Sequence, residues 1–125
     1  MRRLRTVLVV DDELDVREIV GEVLADAGYD VRLAADGRQG LAEVSGAPRP
    51  LVLLLDLVMP VMTGSELFTK LRSEASTADI PVVIMTSDPA AAPKGVPVLA
   101  KPVGISTLLD AVGGAFASDG ASAEE

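Results

Sequence analysis

A chain of 125 residues fits one compact domain with a single core, and 49% hydrophobic but only 2% aromatic residues make that core aliphatic. It has no cysteine and no histidine, which excludes disulfide scaffolds, thiolate or imidazole metal sites and any mechanism built on a catalytic imidazole. A formal charge of −8 argues against a nucleic-acid-binding surface, and no apolar run approaches membrane-spanning length.

Taken in order, the chain alternates two periodicities. The opening MRRLR is followed by too short an apolar run for a signal peptide, so a cytoplasmic domain is expected. Thr6 to Val10 is a largely β-branched run ending at Asp11-Asp12 and reads as a strand. The period then changes: Val16, Ile19, Val20, Val23, Leu24 and Ala27 form the apolar face of a helix, with Asp15 as N-cap, Glu18 three residues on and Gly28 as the stop. Tyr29 to Ala35 is a less apolar strand suited to a sheet edge, and Gly37 to Val44 is helical. Gly46, Pro48 and Pro50 lead into Leu51 to Leu55, a wholly apolar run of the kind buried on both faces of a parallel sheet, which ends at Asp56. Ser65 can cap a third helix over Glu66 to Ser73, with Leu67, Phe68 and Leu71 inward. Ile80 to Met85 reads as the fourth strand, ending at Thr86-Ser87, and Val98 to Ala100 as the fifth, ending at Lys101-Pro102. Ser106 to Phe116 is the closing helix, with Leu108, Leu109, Val112 and Phe116 on one side, and Ser118 to Glu125 is expected to be a flexible acidic tail.

Strands alternating with helices imply a doubly wound α/β fold, a five-stranded parallel sheet with right-handed crossovers and helices on both faces. Ligands in such sheets sit outside the carboxyl ends of the strands. Four of the five strands deliver polar groups there: Asp11 and Asp12, Asp56, Thr86, and Lys101. Three carboxylates meeting near the first and third strands repel one another unless a cation or protons compensate them. Hard oxygens without nitrogen or sulfur partners suit Mg²⁺. Each residue alone also fits a plain structural role: Asp11, Asp12 and Asp56 as turn formers or caps, Thr86 as a strand end, Lys101 as a solvated charge. Their coincidence on one rim points to phosphoryl chemistry.

The chain carries VLVVDDE at Val7 to Glu13, LLLDLVMPVMTG ending at Gly64 with Pro60 at +4 and Gly64 at +8 from Asp56, MTS at Met85 to Ser87, and LAKP at Leu99 to Pro102. On these motifs it resembles a response-regulator receiver domain over residues 4–117, which implies the strand order 2-1-3-4-5. The resemblance implies a single-domain regulator in which Asp56 accepts a phosphoryl group from a phosphohistidine of a sensor histidine kinase or a histidine phosphotransfer protein, forming an acyl phosphate. It further implies Mg²⁺ held by Asp12 and Asp56 directly, by Asp11 through water and by the Val58 backbone carbonyl. Lys101 then pairs with Asp56 at rest and with a phosphoryl oxygen afterwards, and the Thr86 hydroxyl moves to another. No activity beyond self-directed phosphoryl transfer and dephosphorylation is implied. The expected form is a monomer that signals to an unidentified output protein without touching nucleic acid or membrane. The start of the first helix (Asp15, Val16, Ile19, Glu22) and the Pro102 to Ile105 loop flank the site where kinase helices meet such domains, and Gly21 permits close approach there or relieves packing.

Two departures bear on output. Only fourteen residues separate Thr86 from Lys101, punctuated by Pro89, Pro93 and Pro97, so the fourth helix is expected to be missing or reduced to one turn after Asp88. Val98 stands where such domains commonly carry an aromatic that turns inward with the threonine. A degenerate receiver acting as a phosphorylation-independent binding module fits those two features but not the complete acidic set. An aspartate-nucleophile phosphatase needs a second acid-base carboxylate at position 58, which is valine, and a flavodoxin-like carrier needs a phosphate loop where this chain puts DDELD.

Overall fold

The computed structural model describes residues 5–59 and 61–118. Two wholly buried strands, β1 (Thr6–Val10) and β3 (Leu51–Leu55), pair in parallel along all five residues. Outside β1 lies β2 (Asp30–Ala34), and beyond β3 come β4 (Val82–Thr86) and β5 (Val98–Ala100), giving the parallel order 2-1-3-4-5 that the family resemblance implies. The half-exposed β2 is an edge, as its weaker apolarity predicts.

Because side chains alternate across a strand, the two centre strands split their residues between two cores. Leu8, Val10, Leu51, Leu53 and Leu55 pack with Val44 of α2 (Gly37–Gly46) and with Leu67 and Leu71 of α3 (Gly64–Ser73). Phe68 joins them partly buried. Val7, Val9, Val52 and Leu54 face the other way, against Val20 and Leu24 of α1 (Leu14–Asp26) and Leu108, Val112 and Phe116 of α4 (Ile105–Ser118). Phe116 also stacks on Tyr29, with ring centroids 5.4 Å apart. Burying each such side chain contributes roughly 1.5–3 kcal/mol, so the two cores fix the strands on which the rim stands.

The crossover from β4 to β5 holds only a single 3₁₀ turn, Pro89–Ala91, preceded by Asp88. It is the reduced fourth helix the prolines dictate.

Several boundaries differ from the sequence expectation. Helix α1 begins at Leu14 with Glu13, not Asp15, as its N-cap, because the Asp11 carboxylate accepts the Glu13 N–H and starts the turn two residues earlier. Asp15 instead lies in the first turn, where its charge suits the helix dipole. Ser65 does not cap α3; Thr63 does, in a reciprocal capping box with Glu66. Strand β4 starts at Val82 rather than Ile80, since Pro81 has no N–H and the Ile80 N–H closes a turn onto Thr77. Ile19 and Ala27 are exposed, so the buried stripe of α1 is narrower than its periodicity suggests. Ser118 belongs to α4, and the rest of the expected tail, 119–125, lies outside the described residues, as does Leu4.

Candidate functional site

The site is assembled from strand ends. Because β1 and β3 are in register, with Val10 opposite Leu55, the residues that follow them, Asp11 and Asp56, emerge side by side. The Asp56 N–H donates to the Val10 carbonyl, continuing the ladder by one step. Both aspartates are buried, whereas Asp12 is exposed, and oxygens of Asp11, Asp12 and Asp56 all lie within 4.8 Å of one another.

Local bonds fix these groups. One oxygen of Asp11 accepts the Glu13 N–H at 2.9 Å, and Arg17 donates to the Asp11 carbonyl at 2.7 Å. The turn after Asp56 closes through a Gly64 N–H bond to the Leu57 carbonyl. Only glycine fits there, because a Cβ on Gly64 would overlap the Asp56 carbonyl oxygen. Val58 follows Asp56 with its side chain exposed and its N–H 3.5 Å from the Asp56 carboxylate.

Lys101 reaches the site from the end of β5, where its N–H bonds the Thr86 carbonyl; the Lys101-Pro102 peptide bond is cis. Its ammonium distributes three contacts: Asp11 at 2.7 Å, Glu13 at 3.0 Å and Asp56 at 3.4 Å. The resting partner expected from the sequence, Asp56, is thus the most distant of the three. Glu13 was given no role by sequence reasoning beyond its place in a motif. Its involvement depends on the reach of a side chain from the far edge of the sheet, which no local pattern encodes. Arg17 was missed for a different reason: it bonds a main-chain carbonyl six positions away, which no side-chain motif marks. Thr86 is buried at the end of β4, its hydroxyl accepting the Asp88 N–H at 3.1 Å.

The electrostatics follow from this sharing. Burial lifts the Asp56 carboxyl above its ordinary range; the Lys101 charge opposes that, the Asp11 charge adds to it, and hydrogen bonds from Val58 and Lys101 oppose it again. For Lys101, burial works against the charge. Hydrogen bonds to Asp11 and Glu13, with the charges of Asp11 and Asp56, more than offset it, and the ammonium titrates above ordinary lysine. The two directions agree with the distances: the cation is claimed chiefly by Asp11 and Glu13, and Asp56 receives the weakest share.

Beside the site a groove of about 500 Å³ runs between α1 and the loop after β5, lined among others by Glu13, Val16, Ile19, Lys101, Pro102 and Val103. Ile19 is 61% exposed at its edge, so it is surface rather than core. Gly21 does not face that groove. It is buried against β2, where an added Cβ would come within 3.2 Å of Leu33, and the packing explanation for it holds. Among the described residues no helix is long and apolar enough to cross a membrane.

Residues 7–113 match the family model described as the response regulator receiver domain. The phosphate regulon transcriptional regulatory protein PhoB of Pseudomonas aeruginosa is 36% identical over 83 residues, 66% of this chain and 36% of that protein. Response regulator MprA of Mycolicibacterium vanbaalenii is 40% identical over 81 residues, 65% of this chain and 34% of that protein. The chain therefore spans about a third of the length of these curated relatives. Among solved structures, the chemotaxis response regulator CheY4 of Vibrio cholerae superposes with a TM-score of 0.80 at 34% identity, covering 90% of this chain and 99% of that one. A response regulator receiver domain protein from Clostridium thermocellum gives a TM-score of 0.82 at 25% identity, over 92% and 96% of the two chains. With the acidic rim and its lysine already placed on a 2-1-3-4-5 sheet, the chain belongs to the response regulator receiver domain family, the phosphoacceptor modules of two-component signalling.

Proposed function

We propose that Asp56 is the phosphoacceptor. An Asp56 oxygen attacks the phosphorus of a phosphohistidine, the P–N bond breaks as the P–O bond forms, and the imidazole leaves with the electron pair. The observation that carries this reading is a buried carboxylate at the end of the central strand, with an ammonium 3.4 Å away and two further carboxylates beside it. Lys101 stands where it can take a phosphoryl oxygen. Thr86 supplies a second donor by turning its hydroxyl from the Asp88 N–H.

The clustered acidic oxygens, with no nitrogen or sulfur donor among them, fit Mg²⁺. Asp11, Asp12, Asp56 and the Val58 carbonyl would hold the ion, which when bound supplies positive charge to phosphoryl oxygens that must approach a carboxylate. The donating partner is a sensor histidine kinase or histidine phosphotransfer protein. It docks on the groove beside α1, where Val16, Ile19 and Val103 offer apolar anchors around the polar site. The domain acts as a cytoplasmic monomer without catalysis beyond its own phosphorylation and dephosphorylation. With the β4–β5 crossover reduced to one turn, output goes through another surface or by passing the phosphoryl group on.

Intact-mass spectrometry after incubation with a small-molecule phosphodonor tests the assignment. The expected result is one phosphoryl gain that requires both Mg²⁺ and Asp56 and disappears in Asp56→Asn. A gain that persists in the variant would place the acceptor elsewhere, and no gain with the fold intact would favour a phosphorylation-independent binding module.

A further inference from the structure

Glu13 stands at the N-cap of α1 yet does not behave as a cap. Its side chain makes no capping hydrogen bond, and glutamate is not among the residues that favour that position. Its carboxylate instead reaches the Lys101 ammonium, 88 positions away in sequence, at 3.0 Å. Its backbone N–H meanwhile holds Asp11 at 2.9 Å. One residue thus grips two members of the site, one through the main chain and one through the side chain.

An ammonium has three protons, and here three carboxylates accept them. Two of those acceptors, Asp11 and Asp56, belong to the acidic cluster that suits a cation; Glu13 does not. Its hold on Lys101 is therefore independent of whether that cluster is engaged. Asp56 is also the acceptor that changes during phosphorylation, so Glu13 is the partner that neither event removes.

We propose that Glu13 is a positioning residue for phosphoryl transfer: its carboxylate keeps the Lys101 ammonium aimed at Asp56 while Asp11 and Asp56 turn to other partners. This rests on Asp56 as phosphoacceptor. Glu13 touches no reacting atom and acts through Lys101 alone. Its carboxylate is 60% exposed in the groove wall, so its removal leaves both cores intact.

The test compares wild type, Glu13→Ala and Glu13→Gln, each alone and with Lys101→Met. The rate of Asp56 phosphorylation is measured with a small-molecule phosphodonor at saturating Mg²⁺. The Lys101 side-chain ammonium signal is followed by ¹⁵N NMR without metal. Glu13→Ala is expected to slow transfer about fivefold, the scale of losing one partly exposed ion-pair partner. Glu13→Gln, which keeps an acceptor oxygen, should fall between. The ammonium signal should broaden in step, and with Lys101→Met present the Glu13 substitutions should change nothing further. An unchanged rate in Glu13→Ala, an unchanged ammonium signal, or the same slowing without Lys101 would overturn the proposal. If wild type itself gains no phosphoryl group, the Asp56 reading fails instead. The ammonium signal then still decides whether Glu13 holds Lys101.

Discussion

The two sides of the sheet are built to different standards. Between β1 and β3 the strands pair over five residues and are covered by full helices on both faces, whereas β4 and β5 pair over three residues and are joined by one 3₁₀ turn. Both sides nevertheless deliver chemistry to the same rim, Asp11 and Asp56 from the first and Thr86 and Lys101 from the second. Placement of a strand-end residue needs only the ladder that precedes it. The crossover adds bulk and a surface, and this chain has dispensed with most of that surface while keeping the lysine in reach of three carboxylates.

The largest effect should separate the two sides by stability. Leu53→Ala, in the fully buried centre of β3, is expected to cost about 3 kcal/mol, and Val98→Ala, half-buried in β5, about 1 kcal/mol or less. Urea unfolding of both variants measures the difference; equal losses would mean that β5 is as firmly held as the centre.

A smaller, pH-dependent effect comes from the charge that the covered side buries. The Asp56 carboxyl titrates above its ordinary 3.8, so the folded chain binds that proton more tightly than the unfolded one. Its contribution to stability is complete below the unfolded value and is lost as pH rises through the raised folded value. Asn cannot ionise. In metal-free protein Asp56→Asn should therefore match wild type in acid and become more stable by about 1–2 kcal/mol as pH climbs through that window. Unfolding midpoints across a pH series would show the gap opening; a gap that closes towards neutral pH would reverse the assignment.

The smallest effect looks for weakness within the better-covered side. Val61, in the loop after β3, has φ +68° and is 73% exposed, a left-handed conformation that a β-branched residue resists. Glycine removes that strain at the cost of extra freedom in the unfolded chain, so Val61→Gly should raise stability by about 1 kcal/mol. A calorimetric midpoint that falls instead would show the valine held by compensating contacts.

Element types, the central strand and the acidic rim were legible because they depend on periodicity and on residues adjacent in sequence, whereas the strand order came only with the family resemblance. The Leu51 to Leu55 run ends at its aspartate whatever surrounds it, and the prolines after Thr86 forbid a full helix in any context. The cap of α3 was expected at Ser65, but the capping-box spacing of Thr63 and Glu66 prevails. The start of α1 was not legible, because it depends on an Asp11 side chain that bonds the Glu13 N–H. Ile19 has core periodicity and lies on a groove, which only the position of the β5–α4 loop decides. The sequence by itself determined which groups arrive at the rim. Tertiary structure alone decided how they share charge, because the contacts of Lys101 with Asp11 and Glu13 span most of the chain and depend on distances that strand packing sets.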